Sequence, residues 1–109
     1  MHKSIDFCGS SLDDLRNFPQ GAKREAGLQL DRVQRGLEPD NWRPMKSVGT
    51  GAKEIRVFDA DSTFRVIYVA KIEDVIFVLH CFQKKTQKTA QSDIDLAKDR
   101  YKELLRRNK

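Results

Sequence analysis

Three apolar runs crowd into residues 54–83 of this chain: EIRVFD (54–59), FRVIYVAK (64–71) and DVIFVLHCFQ (74–83). All three are rich in β-branched and aromatic residues, and only short stretches around Ala60-Asp61 and Ile72-Glu73 separate them. Connections that short permit only antiparallel neighbours, because a parallel crossover needs about a dozen residues or more. A β-meander is therefore the centre of the fold, and the rest of the 109 residues must cover it.

The flanking segments supply the cover. SIDFCG (4–9) reads as a short strand with Ile5 and Phe7 on one face. Ser10 or Ser11 then reads as a helix N-cap, with Asp13 and Asp14 favourable in the first turn. Pro19 disfavours helical geometry at Phe18 and is well placed to open a second helix. Ala22, Ala26, Leu30, Val33 and Leu37 recur at helical spacing, an apolar stripe on a helix ending near Gly36. Residues 38–53, with Pro39, Pro44, Gly49 and Gly51, read as a long connection in which the glycines make turns. SDIDLAKDRYKELLRR (92–107) reads as a closing helix capped by Ser92, with Ile94, Ala97, Tyr101 and Leu104 buried and Glu103–Arg107 paired on its surface. The order β-αα-βββ-α predicts an α+β fold, one domain over residues 1–109, with helices packed on one face of an antiparallel sheet.

No apolar run approaches the roughly 18–20 residues of a membrane span, and the first ten residues lack an extended apolar segment, so the expected setting is cytoplasmic without membrane attachment. Cys8 and Cys81 are too few and too distant for a disulfide framework or metal site, and read as reduced thiols packed as small hydrophobes. No Asp/Glu/His constellation has metal-ligand character, and GTGAK (49–53) lacks P-loop spacing, so neither metal nor cofactor is expected. The net charge of +5 is uneven: residues 42–89 hold nine Lys/Arg against five Asp/Glu, whereas residues 1–41 hold six against seven. A positive field in the middle of the chain favours a polyanionic partner such as nucleic acid.

Strand register decides which side chains share a face. A turn at Ala60-Asp61 sets Arg56 opposite Arg65, and one at Ile72-Glu73 sets Arg65 opposite His80. Ile55, Val57, Phe64, Val66, Tyr68, Val75, Phe77, Leu79 and Cys81 would then form the core face. The other face would present Arg56, Arg65 and His80 as a row flanked by Phe58 and Phe82 and leading toward Lys84. The last strand then opens into QKKTQKT (83–89), which has three positive charges and no aliphatic side chain. Cations interleaved with aromatic rings suit single-stranded nucleic acid, with phosphates on the cations and bases stacked on the rings.

SSLDDLRNFP, GTGAKEIRV, FRVIYVAK and above all VLHCFQKKTQKT resemble the RelE/ParE superfamily of bacterial toxins, in its HigB-like, phage-derived branch. The resemblance covers nearly the whole chain. It implies a RelE-like fold, ribosome-dependent cleavage of mRNA, and neutralisation by a helix-turn-helix antitoxin protein. Arg56 resembles the arginine of the family's Glu-x-Arg strand and Arg65 that of the next strand, while Lys84, Lys85 and Lys88 match its basic exit. Several relatives carry a late tyrosine or histidine for acid–base work. Here position 82 is Phe82, and the closing helix offers only a core-facing Tyr101, so that work falls on His80 or a lysine. The candidate catalytic set is Arg56, Arg65, His80, Lys84 and Lys85, with Lys53, Phe58, Phe82 and Lys88 as RNA-binding residues. A ParE-like inhibitor binding DNA gyrase, or an RNA-binding relative without activity, stays open as an alternative. Arg65 and the exit lysines are expected on an open face, where substitution would remove activity but hardly change stability. Lys109, at the far end, is expected to be inert.

Overall fold

The structure, a computed structural model, describes residues 2–107, so Lys109 lies outside it. Its elements are β1 (Ser4–Phe7), α1 (Ser11–Arg16), α2 (Gln20–Gln34), β2 (Trp42–Pro44), β3 (Ala52–Asp59), β4 (Ser62–Ile72), β5 (Val75–Lys84) and α3 (Gln91–Arg107). They form an α+β fold around one five-stranded mixed sheet of order β1-β5-β4-β3-β2, in which only β1 and β5 run parallel. Among the described residues no helix is long and apolar enough to cross a membrane.

The first meander turn falls where expected, with Asp59 opposite Ser62, Ala60 at φ 52° and Arg56 opposite Arg65. The second is shifted. Ile72 pairs with Val75, which leaves Glu73 and Asp74 as the turn, both at positive φ (54° and 58°). Two positive φ values in a two-residue loop match the strand twist, and an apolar β-branched Ile72 suits the strand better than the turn. The register of β4 and β5 then shifts twice, between Val69 and Ile72 and again between Ile67 and Tyr68, where Leu79 is bulged out between Val78 and His80. Arg65 consequently faces Phe82, and His80 faces Ile67 one row away. The expected Arg56–Arg65–His80 row is corrected to Arg56–Arg65–Phe82.

The helices do not share one face. Leu15 of α1, Phe18, and Ala22, Ala26, Leu30 and Val33 of α2 pack on Ile55, Val57, Phe64, Val66, Tyr68, Ile76, Val78 and Cys81. Ala97, Tyr101 and Leu104 of α3 pack on the other side, against Ile67, Val69, Phe77, Leu79 and Phe82. The bulge at Leu79 explains the mixed outcome for β5, because an extra residue exchanges the faces of everything beyond it. Cys81 is on the expected face, while Phe77 and Leu79 change places with Ile76 and Val78.

Smaller corrections have local causes. Residues 38–53 contain β2, an edge strand paired only with β3, so Pro44 withholds no hydrogen bond from a neighbour. Gly36, at φ 83°, ends α2 by donating to the Val33 carbonyl while Leu37 donates to that of Arg32; the chain turns away, and Leu37 is left 49% exposed. The α3 helix starts before Ser92, since the Ala90 carbonyl already accepts from the amides of Asp93 and Ile94. Glu103 pairs with Arg106 (3.1 Å), not Arg107. Tyr101 is buried as expected, and its hydroxyl donates to the Thr50 carbonyl (2.6 Å), fastening α3 to the turn that leads into β3.

Candidate functional site

On the α3 side of the sheet the paired strands carry three successive rows of side chains, the inner two largely buried. Arg43, Glu54, Ile67 and His80 form the innermost, Arg56, Arg65 and Phe82 the next, and Phe58, Thr63 and Lys84 the rim.

Glu54 is the pivot, a carboxylate with no solvent exposure. Arg43 Nε donates to its Oε1 at 2.9 Å, Thr89 Oγ1 donates to its Oε2 at 2.8 Å, and Arg65 Nε stands 3.5 Å from Oε1. Arg43 Nη2 also donates to Thr89 Oγ1 (3.1 Å), which closes the network. A buried carboxylate is tolerable only when paired and hydrogen-bonded in this way. Arg65 is itself just 6% exposed and donates from Nη1 to the Phe64 carbonyl (3.1 Å). Burial lowers its pKa from the ordinary value, the Glu54 charge opposes that, and the Arg56 and Arg43 charges lower it further. The expected open position of Arg65 is therefore corrected. It is part of the framework, with room for ligand contact only at its edge.

Arg56 is half-buried beside it, and its Nε is buried with no hydrogen-bond partner among the described residues. Two guanidinium groups on one carboxylate, with Arg56 beside Arg65, leave an excess of two positive charges in a partly desolvated place. Such a cluster is preorganised for an anion, and a planar phosphate-matching fork is what Arg56 has left unused.

His80 is buried and stacks on Phe82, with ring centroids 4.6 Å apart. Its Nε2 lies 2.8 Å from Asp93 Oδ1, in the first turn of α3. Nε2 is placed to donate to this carboxylate, and the buried Nδ1 has no hydrogen-bond partner among the described residues. A groove of about 360 Å³ reaches His80 and Phe82 from the uncovered edge of β5, where Asn17, Phe18 and Pro19 form the opposite wall. Phe82, at 8% exposure, is a wall of the site and not an open stacking platform. Phe58, at 57%, is open on the rim.

The exit segment leaves β5 at Lys84, crosses to β3 where Thr89 meets Glu54, and returns to β5 where Asp93 meets His80. Lys84 Nζ donates to the Gln87 carbonyl and Thr86 Oγ1 to that of Lys88, so the arch is folded on itself. Lys85 and Lys88 are exposed and form no ion pair among the described residues. Lys53 does not join them. It lies on the α2 side of the sheet, opposite Tyr68, bonded to both Glu38 oxygens at 2.9 Å and 4.4 Å from the Trp42 ring centroid.

Sequence reasoning missed Arg43, Glu54, Thr89 and Asp93. One signal was present: Glu54 is the lone acid on a strand face otherwise cationic or apolar, and a charge so placed requires a partner.

Residues 13–102 match the family model described as Phage derived protein Gp49-like (DUF891). No curated protein sequence matches the chain. Among solved structures, an arginine-to-alanine double mutant of the E. coli toxin RelE in the free state is similar, with a TM-score of 0.63 over 95% of this chain and 99% of that one. At 17% identity this likeness speaks for the fold alone. With the family model spanning most of the chain, the protein belongs to the Gp49-like family of phage-derived proteins, and its fold is that of RelE.

Proposed function

We propose that this chain is the toxin of a toxin–antitoxin pair, an endoribonuclease that cuts mRNA on the ribosome without a metal ion and is silenced by a helix-turn-helix antitoxin. The observation that carries the reading is the arginine cluster, which gathers two more positive charges than Glu54 balances and leaves Arg56 Nε without an internal partner. In the reaction, the 2′-OH attacks the adjacent phosphate, and the O2′–P bond forms as the P–O5′ bond breaks. A base must take the 2′ proton, an acid must protonate the leaving oxygen, and cations must stabilise the crowded anionic phosphorus. Arg56 and the edge of Arg65 suit the charge, with Lys84 and Lys85 beside them on the rim. His80, held by Asp93 through Nε2, would do acid–base work through Nδ1, which is buried and has no hydrogen-bond partner among the described residues. Lys88 and Phe58 would hold the strand on either side.

The test is single-turnover cleavage of ribosome-bound message. The wild-type protein is expected to cut, and to keep cutting after exhaustive removal of transition metals, with magnesium resupplied to the ribosomes. His80→Gln, which retains a donor for Asp93, is expected to lose roughly 10²–10⁴-fold in rate. Absence of cleavage together with inhibition of DNA gyrase would replace this reading by the gyrase-binding one.

A further inference from the structure

A second concavity adjoins the arginine row. It is a groove of about 430 Å³ between β2 with its following turn and the start of α3, lined by Arg43, Pro44, Lys46, Lys88, Gln91 and Ile94 among others. No carboxylate lines it. Arg43 is 42% exposed and is held from behind, since its bonds to Glu54 and Thr89 fix the guanidinium while leaving Nη1 unused in any described hydrogen bond. Lys46 and Lys88 are exposed on its rims and make no ion pair among the described residues. Pro44 and the half-buried Ile94 give it apolar surface between the cations.

One fixed guanidinium, two mobile ammonium groups and an apolar floor match a phosphodiester attached to a ribose and base. The volume lies near the lower end of small-ligand sites, with room for about one nucleotide. Position selects the polymer. Lys88 belongs to both the exit segment and the groove, and Arg43 shares Glu54 with Arg65, so a strand lying on the arginine row continues into the groove.

We propose that this groove is a flanking-nucleotide subsite, in which Arg43, Lys46 and Lys88 grip a phosphate of single-stranded RNA next to the segment held on the arginine row. The inference rests on the RNA-cleaving reading for the identity of the strand, and it assigns the groove no part in the chemistry.

The experiment is equilibrium binding of the full-length protein to a labelled, mixed-sequence single-stranded RNA, 2′-O-methylated throughout so that cleavage cannot intrude. Affinity is followed over a range of salt concentrations. Lys46→Ala and Lys88→Ala are each expected to weaken binding several-fold at low salt and to flatten the log–log salt slope by about 0.7 for each phosphate no longer neutralised. The double variant should bind more weakly still, and Arg24→Ala, on the exposed face of α2, should match wild type. An unchanged affinity and slope in the double variant would overturn the subsite, whereas cutting of translated message by the wild-type protein would still uphold the nuclease reading. Lys46-dependent binding of a polyglutamate peptide, with no RNA binding by the wild-type protein, would overturn it in favour of an acidic protein partner. Lys46-dependent RNA binding by a protein that cuts no message would retain the groove and sink the nuclease reading instead.

Discussion

Arg65 and Lys85 stand at one site with the same charge, yet the chain holds them in opposite ways. Arg65 is buried, ion-paired with a fully buried Glu54 and bonded to its own strand, so its charge is part of the fold. Lys85 projects from a segment that contributes no side chain to either core, and it has no acidic partner among the described residues. The contrast separates two meanings of a cationic site. Charge held from inside is rigid and cannot be removed without cost to stability, whereas charge on the rim is available to a ligand and nearly free to remove. A nuclease acting on a mobile polyanion has use for both: a fixed arginine scaffold to receive charge, and adaptable lysines to bring the strand in.

The contrast breaks most sharply at Glu54. Glu54→Ala leaves Arg43, Arg56 and Arg65 facing one another without the carboxylate, and is expected to destabilise the protein by about 3–5 kcal/mol in urea unfolding. Arg65→Ala should cost less, about 2 kcal/mol, because Arg43 and Thr89 still satisfy the Glu54 oxygens. This reverses the expectation that Arg65 could be removed without consequence for stability. An Arg65→Ala protein that unfolds at the wild-type urea midpoint would show that the burial seen here does not bear on stability, and the inside–outside distinction would fail.

How much of this was legible beforehand differs strand by strand. The β3–β4 half was readable because Ala60-Asp61 is a clear turn, and Arg56 does oppose Arg65. The β4–β5 half was not, because both faces of the sheet are covered. Phe64–Val69 and Ile76–Phe82 are buried without interruption, so alternation carries no information about which side faces which helix. Neither the shifted turn nor the bulge at Leu79 has a signature in a run of apolar residues; the turn moved His80 out of the arginine row, and the bulge exchanged the faces of Ile76–Leu79. Arg43 was hidden for a different reason. A three-residue edge strand ending in proline resembles a loop, and only its pairing with β3 reveals that Arg43 lies against Glu54.

A milder test of the inside region uses its other face. Burial pushes the Cys81 thiol up to about 12 from its ordinary 9.0, with Asp14 adding to the rise and Arg100 opposing it. The neutral thiol is thus the form the fold prefers. Its contribution is complete below about pH 9, where the unfolded thiol is also neutral, and is lost as pH rises toward 12. The urea midpoint of the wild-type protein should therefore fall over that alkaline range, and the fall should be shallower in Cys81→Ala. Parallel curves for the two proteins would mean that this thiol does not contribute to the alkaline loss.

The smallest expected change in stability belongs to the exit lysines, and it is there that the site reading is most exposed. Lys84 is half-buried and holds the Gln87 carbonyl, while Lys85 is exposed and makes no side-chain hydrogen bond or ion pair among the described residues. The arch is anchored at its far end by Thr89 on Glu54, so removing the Lys84 bond should loosen the segment without detaching it. Lys84→Ala combined with Lys85→Ala is therefore expected to shift unfolding by no more than about 0.5 kcal/mol. If those ammonium groups meet phosphate in the transition state, the same variant should fall about a hundredfold in cleavage rate, the scale of a charge-stabilising interaction worth roughly 3 kcal/mol. Growth arrest on induction should disappear with it. Arg65→Ala would differ by losing stability and activity together, so the two variants form a matched pair. A double lysine variant that is folded and still fully toxic would reduce QKKTQKT to a solvated link between β5 and α3. The work of gripping RNA would then fall on the arginine row and the groove beside it.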